Sequence, residues 1–202
     1  QNTTRYNQPP PEESLAIVFS PTEPYTEREA ARIQRFVRAG GTVLIADDYR
    51  EHSNPLLAAL GADARIDPVP LRDERRYGAS PAFPRATAVS NDSFTRNAST
   101  ILLNHGGTVR SNGATVLFAS SEFSYRDLNR NGELDDDEQM TRHPVVTVES
   151  VGQGRVLVAS DASLFLNSML EEADNAAFLR TLVSSHDDVL LDVSHTAGVP
   201  PL

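Results

Sequence analysis

Leu15 to Phe19 and Thr42 to Ala46 are two short apolar runs, and one amphipathic stretch separates them. Unbroken apolar runs bounded by polar sequence predict strands buried on both faces. Between them, Thr26 and Glu29 stand at capping-box spacing. Ala30, Ile33 and Val37 then recur on one helical face, and Gly40-Gly41 supplies the stop. A strand, a helix and a second strand of this kind pack as a right-handed crossover with the strands parallel. The chain is thereby directed toward an open α/β sheet.

The remaining pattern extends that sheet. A short helix is predicted from about Asn54, with Pro55 in its first turn and Gly61 as its stop. Residues 62–98 carry Pro68, Pro70, Pro81 and Pro84, which predicts loops and short edge strands. Ser99 to Leu103 and Ala114 to Ala119 read as strands, separated by a Gly-rich turn segment. Val145 to Val148 and Arg155 to Ala159 read as a hairpin around Gly152-Gln153-Gly154. A helix from about Asp174 to Ser184 and a short strand from Val189 to Val193 close the pattern. The expected fold is α/β: an open, mostly parallel sheet flanked by helices, with a hairpin at one side. It forms a single domain over residues 14–195, between a polar, Pro-rich linker or frayed start at 1–13 and a tail at 196–202.

A twelve-residue segment does not belong to this pattern. Residues 127–138 place Asp127, Asn129, Asn131, the carbonyl of Glu133, Asp135 and Glu138 at the ligand positions of a calcium loop. Gly132 stands where the sharp turn is needed, and Leu134 can anchor the loop to a core. Strand-like sequence precedes the loop and Pro144 follows soon after, so the helical flanks of a calcium sensor are missing. The expected role is static: calcium as a cofactor that folds an acidic insertion, with modest affinity from three carboxylates and two Asn. An acidic surface turn without metal is the bland alternative.

Composition removes several chemistries. The chain has 202 residues, no Cys, 28 acidic residues and 18 basic ones, and every basic residue is Arg. Thiolate nucleophiles, disulfides and cysteine-bound zinc are excluded. A net charge of −10 makes nucleic acid a poor partner. A heavy acidic load without Lys suits high salt, and GC-rich codon usage would also favour Arg. No apolar run reaches bilayer length, so a membrane would be reached only through segments outside this chain.

In open α/β sheets, ligands bind beyond the carboxyl ends of the strands. Asp47, Asp48, Ser160 and Asp161 lie there and would line any ligand cleft, with Ser20, Ser120 and Ser121 as further neighbours. Paired acids could act as a base or hold a metal; turn and N-cap duty is the commoner use of such residues. Ser160 lacks a G-x-S-x-G elbow, the five His show no zinc spacing, and Gly106-Gly107 is not a phosphate loop. Sequons occur at Asn2, Asn91 and Asn97.

Tyr6-Asn7, residues 36–48, residues 154–161, Asn167, Asp174-Asn175 and residues 192–195 together resemble the uncharacterised domain-of-unknown-function family 4350. The resemblance implies a flavodoxin-like fold similar to class I glutamine amidotransferases. Those enzymes use a cysteine that this chain lacks, so their activity is not implied. Family members are common in halophilic archaea, and membrane helices typically flank the Tyr-Asn and Ser-His segments. The expectation is a non-catalytic, calcium-stabilised, extracytoplasmic domain of a membrane-anchored protein that binds an unknown protein or small molecule. The alternative is a hydrolase acting at the strand ends.

Overall fold

The computed structural model describes Tyr6 and residues 9–195. An eight-stranded mixed sheet organises them. Its parallel half consists, from the edge inward, of β12 (Asp188–Asp192), β1 (Ser14–Phe19), β2 (Thr42–Ala46) and β11 (Gly154–Ala159). Its antiparallel half continues with β10 (Pro144–Val151), β8 (Thr115–Ala119), β5 (Arg85–Ala88) and β6 (Thr100–Leu102).

The strand-helix-strand unit forms as its pattern requires. Thr26 and Glu29 close the capping box on α1 (Glu27–Arg38), and β1 pairs with β2 in parallel register from Leu15↔Thr42 to Phe19↔Ala46. Alternation along each central strand sends side chains to opposite faces. Ala16, Val18, Val43, Ile45, Val156 and Val158 meet α1 and α2 (Ser53–Leu60). Leu15, Ile17, Leu44 and Leu157 meet Phe178 and Leu182 of α4 (Asn175–Ser184) on the other face. Both faces are covered, which is why these strands carry no polar alternation.

The antiparallel half is larger than a single hairpin. β10 runs eight residues and pairs with both β11 and β8. β6 does not pair with β8 as a hairpin across the Gly-rich segment; β5, from the Pro-rich region, lies between them. The Gly-rich segment itself contains β7 (Thr108–Arg110), paired with β3 (Arg65–Asp67). A second ribbon joins β4 (Leu71–Asp73) to β9 (Ser124–Arg126) and ends where the acidic loop begins. A short helix, α3 (Asn167–Leu170), precedes α4.

Within the stretch read as a linker, Tyr6 is anchored to the domain. Tyr6 is buried edge-on against Phe36, and its hydroxyl donates to Asp192 Oδ2 at 2.6 Å. His195 is buried against Tyr25, and its carbonyl accepts from the Thr22 amide. A buried tyrosine ring with an apolar wall on its face and a hydrogen-bond partner for its hydroxyl satisfies both halves of the side chain. The expected tail at 196–202 and the sequon at Asn2 lie outside the described residues.

Candidate functional site

Two places gather the residues singled out by sequence. The first is the acidic loop. β9 roots it, and the Asp127 amide donates to the Pro70 carbonyl at 2.9 Å. Asp127 is fully buried. Its Oδ2 accepts from the Gly132 amide at 3.0 Å and from Arg72 Nε at 2.6 Å, while its Oδ1 has no hydrogen-bond partner. Gly132 takes a φ of +86°, a conformation that a side chain would strain. Asn129 Oδ1 accepts from the Asn131 amide and Asn131 Oδ1 from the Glu133 amide, two successive Asx turns that wrap the loop. Both Asn side-chain amides donate to Asp135 Oδ2 at 2.8 Å. Glu138, itself buried, closes the loop by accepting from the amides of Leu128 and Asp135.

Hydrogen bonds thus tie Asn129, Asn131, Glu133, Asp135 and Glu138 to one another, and Asp127 to Gly132 in their midst. Leu134 is exposed and does not anchor the loop; β4 and β9 do so instead. Among the described residues, no three His, Cys, Asp or Glu side chains are gathered as a metal site. The reason is visible in the hydrogen bonds: Asp127 faces Arg72, Asp135 faces two Asn amides, and Glu138 faces two backbone amides. The chemistry still suits a hard cation. All the donors are oxygens, the backbone turns are in place, and a buried carboxylate oxygen lacks a partner. Arg72 is the component that the loop pattern did not announce.

The second place lies beyond the carboxyl ends of β1, β2 and β11, adjacent in the sheet. The carboxyl groups of Asp48 and Asp161 hydrogen-bond to each other there. Burial, followed by the neighbouring Asp161 charge, pushes the Asp48 carboxyl up to about 7. Burial also raises Asp161. Two such acids in one dry corner share a proton rather than both ionising. Asp48 Oδ1 accepts from the Ala162 amide at 3.2 Å, and Asp161 accepts from Asn104 N at 2.6 Å and from Ser163 through its amide and hydroxyl. Asp48 also faces a cavity of about 230 Å³ lined by Phe19, Ser20, Ala162, Ser163, Phe165 and Leu166.

Asp47 and Ser160 stand apart from that acid pair. Asp47 is buried and accepts from the Tyr49 amide and the Ser53 hydroxyl, so it builds the turn into α2. The Ser160 hydroxyl is buried and donates toward the Gly107 and Val145 carbonyls, so Ser160 itself does not face the cavity. Ser120 and Ser121 serve the β8–β9 region: Ser120 Oγ meets Ser124 Oγ, and Ser121 Oγ donates to Asp73. Gly106 is needed for close approach, because a Cβ there would sit 2.8 Å from Asp161 Cβ. Asn104, Ser163 and Phe165 were not legible as site residues, since none stands in a motif with them. A wider depression of about 890 Å³ between residues 88–99 and Asp174 holds both described sequons. The Asp174 carboxylate in it is consumed by the amides of Ser99 and Thr100.

A family model described as Domain of unknown function (DUF4350) matches residues 1–183. The chain belongs to this family. No curated protein matches it. Among solved structures, the mmIFT52 N-terminal domain is similar at a TM-score of 0.65 with 16% identity, over 84% of this chain and 75% of that one. At this identity the likeness shows the fold alone. A β-galactosidase from Rahnella sp. R3 gives a TM-score of 0.49 with 14% identity, over 86% of this DUF4350 chain but 22% of the enzyme. The cytoplasmic protein STM1381 from Salmonella typhimurium LT2 gives 0.49 with 16% identity, over 78% of this chain and 60% of that one.

Proposed function

We propose that this DUF4350 domain is a non-catalytic interaction or ligand-binding module whose acidic loop is held by calcium. The observation that carries it is Asp127 Oδ1: a fully buried carboxylate oxygen without a hydrogen-bond partner, at the root of the loop that carries the other ligand-position residues. Leaving such an atom bare costs about 1–3 kcal/mol, and a cation would remove that cost. Asp127, Asn129, Asn131, the Glu133 carbonyl, Asp135 and Glu138 would hold it. The metal would do no chemistry there beyond neutralising the acids and fixing the loop on β4 and β9.

The same proposal places the domain on the extracytoplasmic face of a membrane, in a halophilic setting, with a flavodoxin-like, amidotransferase-type sandwich. The Lys-free acidic composition, the exposed Asn91 and Asn97 sequons and an open three-layer sheet support it. No helix among the described residues is long and apolar enough to cross a membrane. Calorimetric titration of chelator-treated protein should show one calcium site and a rise in melting temperature. No heat together with an unchanged melting temperature overturns the proposal.

One observation favours a second reading, a hydrolase. Asp48 and Asp161 form a proton-sharing pair beside a cavity. Hydrolysis of chromogenic ester, glycoside or amide substrates that disappears in both Asp48→Asn and Asp161→Asn would establish it. Hydrolysis that survives both substitutions would exclude this pair.

A further inference from the structure

On the outer part of the antiparallel half, Arg76, Arg85 and Arg142 converge on a concavity of about 400 Å³. Thr87, Thr100 and Phe123 line it with them, and so does Glu122. None of the three guanidinium groups makes an ion pair among the described residues, although the chain carries 28 carboxylates against 18 arginines. Like charges gathered in one hollow repel, and nearby acids would ordinarily be used to neutralise them.

The walls of the hollow are fixed. Asp73, fully buried, accepts from the amides of Arg75 and Arg76 through Oδ1 and from the Ser121 hydroxyl through Oδ2. Arg85 and Thr87 stand two residues apart on β5, which points them to one face, and Thr87 is opposite Thr100 of β6. Arg142 follows Thr141, which exchanges two 2.8 Å hydrogen bonds with Ser124. Three separate segments therefore bring forked donors to one place, with two threonine hydroxyls beside them. This is the donor set that recognises oxyanions.

We propose that the Arg76–Arg85–Arg142 hollow is a binding site for a small ligand bearing a doubly charged oxyanion. With Glu122 among its lining residues, the hollow carries a net charge of about +2 from three Arg and one Glu. A dianion matches it, and the volume falls at the lower end of small-molecule sites. The site lies outside the acid pair and does not depend on calcium being bound.

The test is calorimetric titration of the purified chain with sulfate and, separately, with succinate, at ionic strength held constant with sodium chloride. Saturable one-site binding of either dianion is expected. Sulfate alone would assign tetrahedral oxyanions, and succinate alone would assign dicarboxylates. Arg76→Gln and Arg142→Gln should each weaken binding about tenfold, the loss of roughly one hydrogen bond to a charged group. Arg180→Gln, an exposed site elsewhere, should leave it unchanged. Arg76 and Arg142 are exposed, so the variants should keep the wild-type melting temperature. No saturable heat from either dianion, or equal binding by the Arg76→Gln/Arg142→Gln double variant, overturns the proposal.

Discussion

Arg72 Nε donates to Asp127 Oδ2 across 2.6 Å, and the other oxygen of the same buried carboxylate is unpaired. One side of Asp127 is therefore neutralised by a cation built into the chain, and the other is the oxygen that the proposed calcium ion would meet. Arg72 extends from β4, paired with the β9 strand that delivers Asp127. Replacing it with Gln should have opposite effects on two measurements. In chelator, stability should fall by about 1–3 kcal/mol, because a buried carboxylate loses its charged partner. In calcium, affinity should rise about fivefold, because a positive charge near the ion is worth on the order of 1 kcal/mol at a partly exposed site. Urea unfolding with and without calcium measures both. Loss of stability with no gain in affinity would separate Arg72 from any metal.

Glu138→Gln tests the opposite end of the loop. Glu138 Oε1 accepts from the Leu128 amide at 2.6 Å, and a glutamine oxygen can still do so. The calcium-free melting temperature should fall only slightly, through loss of the long 3.3 Å bond that Oε2 accepts from the Asp135 amide. Calcium binding should weaken about tenfold or more, since the last loop position normally supplies both oxygens of a carboxylate. Unchanged binding would remove Glu138 from the ligand set.

The Asp48 carboxyl gives a pH signature. Its ordinary value of 3.8 is raised to about 7, so between these limits the folded chain binds more proton than the unfolded one. That contribution to stability is fully present below about pH 4 and lost as pH rises through 7. His143 acts in the other direction: burial lowers it from 6.5 to about 4, so its contribution is lost as pH falls through that range. The two oppose each other in wild type, and the informative quantity is the difference for Asp48→Asn. The variant should gain stability relative to wild type from pH 5 to pH 8, measured by urea unfolding. Parallel pH profiles would show that Asp48 does not hold the proton.

How much of this was legible depended on the range of the contacts. The β1–α1–β2 unit was readable because its capping box, apolar face and Gly stop are local, and the crossover rule then fixes parallel pairing. The acidic loop was readable because its hydrogen bonds link residues within a dozen positions. Arg72 was not, since it reaches Asp127 from 55 residues away. Asp48 and Asp161 were both named as cleft residues, yet nothing in their neighbourhoods distinguished them from Asp47 and Ser160. Only the pairing of β2 with β11 settles which side chains face each other. β5 was hidden for a related reason: Arg85–Ala88 is short, half polar and follows Pro84, and it becomes a strand only between β8 and β6.

Asn175 shows how that edge is finished, and it carries a further prediction. β6 ends the sheet, where unpaired backbone groups invite association with another chain. The buried Asn175 amide takes the place of a further strand: Oδ1 accepts from Leu102 N at 3.0 Å, and Nδ2 donates to Leu102 O at 3.0 Å and to Met169 O at 2.9 Å. One side chain therefore joins α4, α3 and β6. Asn175→Ala should cost about 2–4 kcal/mol, because buried backbone donors and acceptors lose their partners together. Asn175→Asp keeps an acceptor for Leu102 N but loses both donors and adds a buried charge. It should be at least as damaging as Ala at pH 7, and it should recover at acid pH, where a protonated carboxyl can again donate to a carbonyl. Urea unfolding at pH 7 and pH 5 measures the two variants side by side. If Asp were no worse than Ala at pH 7 and showed no recovery at pH 5, the amide's two donated bonds would not be what holds α4 to the sheet edge.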